Sequence, residues 1–129
     1  MINYIKHLVL FILFVCSLMP VAIYAQDNIS EAPKFFSALP DIPLMEGMGE
    51  LEERVVIYDK PEGRIIEAVA VLNELSRDEV LQFYRMTLPQ FGWGVIKDTR
   101  FFRRNEFLDI SFEDVQGKDA IRILIRPTR

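Results

Sequence analysis

Cysteine and histidine are almost missing from this chain of 129 residues. There is one of each, Cys16 and His7, and both fall within the first 25 positions. From residue 26 onward there is neither a thiol nor an imidazole. That excludes intrachain disulfides, thiolate chemistry, His-activated nucleophiles and Cys/His zinc sites from residues 26–129. Any acid–base work there would rest on carboxylate, Ser, Tyr or Lys groups, whereas such work most often recruits His. No G-x-S-x-G elbow, phosphate-binding loop or dinucleotide fingerprint occurs either. The acidic stretches "EGMGELEE" (46–53) and "FEDVQGKD" (112–119) lack the alternating Asp/Asn ligands of a calcium loop. No two carboxylates stand out as a glycoside-hydrolysing pair. The expectation is therefore no catalytic residues, no metal and no cofactor.

Long apolar runs are also scarce, with a single exception at the N-terminus. Lys6 and His7 precede an uncharged stretch, Leu8–Val15. Pro20 breaks it, and Ala25 offers a small residue for cleavage. That order of parts reads as a secretory signal peptide, cut between Ala25 and Gln26. The alternative is a retained anchor, because the 18 residues from Leu8 to Ala25 carry no charge. In both cases the charge at the N-terminus leaves the rest of the chain outside the cytoplasm, in a secreted or periplasmic location. A membrane association is expected only if the leader stays attached. Loss of Lys6 with the leader leaves 14 basic against 19 acidic residues, net −5. An acidic domain of this kind is a poor general partner for nucleic acid.

What remains divides into an arm and a body. Residues 26–49 read as a proline-containing arm. A short helix capped by Ser30 is one option for "SEAPKFF", and "ALPDIPLMEGMG" reads as extended chain anchored by Leu39, Ile42 and Leu44. Residues 50–129 read as a single α+β domain. "ERVVIYD" (53–59) and "RIIEAVAVL" (64–72) are rich in β-branched residues and flank the turn "KPEG", so they predict a strand pair. Ser76 with Glu79 forms a capping box, and Val80, Tyr84, Leu88 and Phe91 fall on one helical stripe. Pro89 ends or kinks that helix, and Gly92 suits its C-terminal cap. The aromatics of "QFYRMTLPQFGWGV" (82–95) are thus expected in the core, with Trp93 closing its end, rather than in a ligand cage. "WGVIKD" is a short candidate strand. "TRFFRR" (99–104), "FLDISFED" (107–114) and "AIRILIRP" (120–127) follow as a meander. The predicted order is ββ-α-βββ, an antiparallel sheet with one amphipathic helix on one face, in two layers.

"DIPLMEGM", "IYDKPEGRIIEA", "VLQFYRMTLPQFGW" and the "FLDI" strand resemble a family of small secreted, periplasmic proteins of alphaproteobacteria. The likeness covers most of residues 40–127, and its motifs are turns, a cap and a helix end. The resemblance implies a fold and a compartment, and it brings no catalytic residues.

One segment invites a binding role. "KDTRFFRR" (97–104) interleaves Arg100, Arg103 and Arg104 with Phe101 and Phe102, a pattern that suits an acidic or anionic partner. The alternative is a strand whose arginines pair with Asp109 or Glu113 on its neighbour. Strand alternation also places Val56, Tyr58, Ile65, Val69, Val71 and Leu124 on the face away from the helix, where the arm or a second copy is expected to cover them. The resulting expectation is an exported, non-catalytic envelope module that binds a protein or envelope component. A membrane-anchored subunit is the alternative, and a carboxylate-dependent hydrolase is the weaker one.

Overall fold

The computed structural model describes residues 32–129. The leader, its cleavage site and the Ser30 cap lie outside the described residues. The strands are β1 (Lys34–Phe36), β2 (Leu39–Leu44), β3 (Met48–Glu50), β4 (Val56–Lys60) and β5 (Gly63–Leu72), then β6 (Gly94–Lys97), β7 (Arg100–Arg103), β8 (Glu106–Val115) and β9 (Lys118–Pro127). One helix, α1 (Arg77–Thr87), separates β5 from β6, and a 3-10 turn, Leu88–Phe91, continues it. The class is α+β, mostly antiparallel sheet. The order is longer than ββ-α-βββ, with five strands before the helix and four after it.

β1 and β2 form a two-stranded sheet of their own. The other seven make one antiparallel sheet in which β5, β9, β8, β7 and β6 are successive neighbours. The free edge of β5 is shared: β3 pairs with its end at Ala70–Leu72, and β4 pairs with its start at Gly63–Glu67. Register follows side-chain alternation, since a slip of one residue would invert every face. Ile66, Ile125, Leu108 and Phe101 stand in one row across four strands, and Ala68, Ile123 and Ile110 form the next. These residues share one core cluster with Val80, Tyr84 and Leu88. Ala68 and Ala70 are wholly buried, and their small side chains leave room for larger ones opposite.

The helix begins as its sequence dictates. Ser76 Oγ accepts from the Glu79 amide, and the Glu79 carboxylate accepts from the Ser76 amide and hydroxyl. Those bonds satisfy donors that a helix start would otherwise leave open. Pro89 lies in the 3-10 turn, and Gly92 caps it in the left-handed region at φ 84°. Trp93 then enters the core at 1 % exposure.

Residues 34–50 differ most from expectation. The arm expected over 26–49 has a helical option at 30–36 and extended chain over 38–49, and the body is expected to start at residue 50. Residues 34–50 instead form β1, β2 and β3. Phe36, Leu39 and Ile42 are fully buried in the cluster that contains the helix side chains. The Tyr84 hydroxyl donates to the Pro43 carbonyl at 2.9 Å, which ties β2 to the helix. The described part of the arm, residues 32–49, therefore packs on the helix side of the core rather than on the face away from the helix. Pro40 and Pro43 are compatible with a strand here because a two-stranded sheet consists only of edges, where a missing N–H is tolerated.

The face opposite the helix is covered unevenly. Val69 is completely buried, Ile65, Val71 and Leu124 are partly so, and Val56 and Tyr58 are more than half exposed. A 3-10 turn at Glu52–Arg54 links β3 to β4, and Arg54 reaches Glu113 on β8 at 3.1 Å.

Candidate functional site

The five residues of the basic–aromatic segment separate on folding. Phe101 is wholly buried in the core. Phe102 points the other way, 39 % exposed, and packs its ring on Phe107 at 5.6 Å. Arg100 binds Asp109 at 2.5 Å, which raises its pKa through that hydrogen bond first. Asp109 also receives Arg126 at 3.0 Å, and both guanidiniums lie over the Phe107 ring, at 5.5 and 5.2 Å. Pairing of a segment arginine with Asp109 is the outcome that strand adjacency anticipates. Arg103 is drawn inward. It forms an ion pair with Asp41, donates to the Phe91 carbonyl at 3.0 Å and stacks 4.2 Å above Trp93. Arg104 lies on the β7–β8 turn, exposed, at φ 55°, with no side-chain partner among the described residues.

Two surfaces result. The first is the outer face of the sheet with its edge strand β4. Charges on the face are arranged in linked pairs: Glu67 with Arg122, Arg122 with Glu113, and Glu113 with Arg54. These residues are partly buried, and pairs of this kind near a surface contribute about 0–1 kcal/mol each. Beside them β4 is exposed along its whole length, and Val56, Ile57 and Tyr58 are 52, 58 and 57 % exposed. Ile57 and Tyr58 point to opposite faces. Apolar side chains on both sides are the pattern of a strand with neighbours. Here β4 has β5 on one side and, among the described residues, no strand on the other.

The second surface is a groove of about 950 Å³ at the end of the sheet where β9 finishes. β2 supplies Asp41, the β4–β5 turn Glu62, the start of β5 Gly63, the helix end Phe91 and Gly92, and the β7–β8 turn Arg104 and Asn105. Most of its charges are already matched. Arg64 meets Glu106 in a fork, Nε to Oε1 at 2.8 Å and Nη2 to Oε2 at 3.3 Å. That bond raises the Arg64 pKa, and Asp41 and Asp59 add smaller contributions in the same direction. Arg103 is matched by Asp41. Glu62 and Arg104 are the two lining charges outside these pairs.

Sequence reasoning did not find this groove. "KPEG" is legible as a turn, and the β7–β8 turn falls at Arg104–Asn105 between two candidate strands. Their convergence depends on β9 inserting between β5 and β8, and no local signal encodes that pairing. Among the described residues, no cluster of three Asp, Glu, His or Cys side chains converges on a metal position. Among them also, no helix is long and apolar enough to cross a membrane. Comparison with known proteins gives no family model, curated protein or solved structure that matches this chain.

Proposed function

We propose that the protein is an exported, non-catalytic module of the cell envelope, a two-layer α+β domain that works by holding a partner against β4 and the outer sheet face. The partner is a protein, another envelope component or a second copy of the chain. The observation that carries this reading is the run Val56–Ile57–Tyr58, apolar on both sides of a strand and more than half exposed. Edge strands normally carry charge or stay very short, because a bare edge recruits other chains. Added strands gain main-chain hydrogen bonds along the edge and specificity from alternate side chains.

The leader supports export, and the lack of His and Cys beyond residue 25 favours binding over catalysis. A hydrolase relying on carboxylates has less support, since Asp41 and Glu106 in the groove are held by Arg103 and Arg64. The second reading is a membrane-anchored subunit, favoured by the 18 uncharged residues from Leu8 to Ala25. A photo-crosslinking residue at position 57, expressed in cells, tests the proposal. Adducts in the soluble envelope fraction, absent when the label sits at Lys118, are expected. No adduct above that control would refute it. Adducts from a full-length chain in the membrane pellet would instead select the anchored reading.

A further inference from the structure

The groove at the β9 end holds three arginines and three carboxylates, yet only two pairs form between them. Arg64 is matched by Glu106, and Arg103 by Asp41. One charge of each sign is left over, Arg104 on the β7–β8 turn and Glu62 on the β4–β5 turn. Among the described residues neither side chain has a hydrogen-bond or ion-pair partner, so each presents a solvated charge to the groove. They do not bond each other, because their turns stand apart. From the β4–β5 hairpin to the β7–β8 hairpin the sheet runs β5, β9, β8. That is three strand spacings between turn centres, about 14 Å at ~4.8 Å each.

Arg104 also occupies a costly conformation. Its φ of 55° lies in the left-handed region, which glycine adopts freely and which costs a non-glycine residue about 1 kcal/mol. A glycine there would suit the turn better. Arginine brings a guanidinium to the groove wall instead. Backbone strain of this kind tends to persist where a side chain has work to do.

We infer that the groove binds a short peptide with free ends, its terminal carboxylate on Arg104 and its terminal ammonium on Glu62. The matched charges leave the groove neutral, so a multiply charged anion such as phosphate would meet Asp41, Glu62 and Glu106 without net attraction. A ligand carrying both signs suits the residual dipole. A single amino acid is too short, since its charges sit about 3 Å apart, close to one residue of extended chain. Three extended residues span about 10 Å, and the reach of the two long side chains closes the remainder. Phe91 and Pro127 offer apolar wall to the peptide's side chains. This site is separate from β4, so its failure would leave the docking proposal standing.

The test is titration of the purified protein with trialanine, followed by the backbone amide signals of Gly63 and Gly92. Saturable shifts at both glycines are expected. N-acetyl-trialanine, trialanine amide and free alanine should each bind at least tenfold more weakly, and phosphate should give no saturable shift. Arg104→Gly should melt at or above the parent temperature and yet lose the preference for a free carboxylate. Glu62→Gln should lose the preference for a free ammonium. Equal binding of the capped peptides, no saturation by trialanine at 10 mM, or an Arg104→Gly protein that binds as the parent does would each overturn the inference.

Discussion

Arg103 shows how far a side chain's role depends on what surrounds it. In sequence it belongs to a basic–aromatic run that suits a binding patch but reads better as a strand with paired arginines. In the fold it joins three elements: Asp41 on β2, the Phe91 carbonyl on the turn after the helix, and the Trp93 ring. Hydrogen bonds to charged groups contribute about 1.5–3 kcal/mol. Arg103→Ala is accordingly expected to destabilise by about 2 kcal/mol. For a domain of this size that lowers the melting midpoint by roughly 8–16 °C, and a thermal melt followed by circular dichroism checks it. Tyr84 is a second such case. Burial pushes its phenol pKa far up, so the hydroxyl stays protonated and donates to Pro43. Tyr84→Phe keeps the packing and strips a buried carbonyl of its donor, at a cost of about 1–2 kcal/mol. A denaturant midpoint unchanged by this substitution would contradict the tie between β2 and the helix.

Among the elements, the β1–β2 hairpin departs furthest from its sequence impression. The stretch around Pro40 and Pro43 reads as extended chain anchored by Leu39 and Ile42, and both are wholly buried. What its sequence does not show is that it pairs with Lys34–Phe36 as a hairpin packed with the helix. Truncating either to alanine should cost about 2–5 kcal/mol, as for other core aliphatics. A loosely attached arm would show almost no change, so equilibrium unfolding of Leu39→Ala separates the two. The helix, by contrast, was legible in detail. Its cap, apolar stripe and proline–glycine ending are short-range signals that need no tertiary partner to operate. The groove was not legible, because its residues come from β2, the helix end, two hairpin turns and the ends of several sheet strands, which meet only in the tertiary fold.

Across the whole molecule, acid and association are the two stresses with expected outcomes. The Ser76 hydrogen bonds hold the Glu79 carboxyl below its ordinary value of 4.5, and the Arg77 hydrogen bond holds Asp119 below 3.8. A carboxylate lowered in the folded state adds stability that is complete above its unfolded pKa and disappears as pH falls through the folded value. The domain should therefore hold its stability from neutral pH down to about 5 and lose it progressively below about 4.5. Thermal melts at stepped pH check this, and Glu79→Gln should flatten part of the loss. The exposed edge of β4 governs association. Ile57→Lys places a charge on that edge, the usual protection of exposed strands. Such a variant should melt close to the parent, since Ile57 is 58 % exposed, and should lose partner capture or self-association in sedimentation runs.

The sequence by itself determined the local grammar of this protein: the absence of thiol and imidazole beyond residue 25, the leader-like start, the capped helix and the alternating strands. Each of these depends on neighbours within a few positions, where side-chain period and capping chemistry act directly. The tertiary structure decided what the local grammar leaves open. It took residues 34–50 into the sheets and core, turned Phe101 inward and Phe102 outward, and left Arg104 and Glu62 unmatched at one end of the sheet. Those outcomes rest on which strands pair. Pairing is settled by burial of the whole apolar face at once, a long-range quantity that no single segment carries.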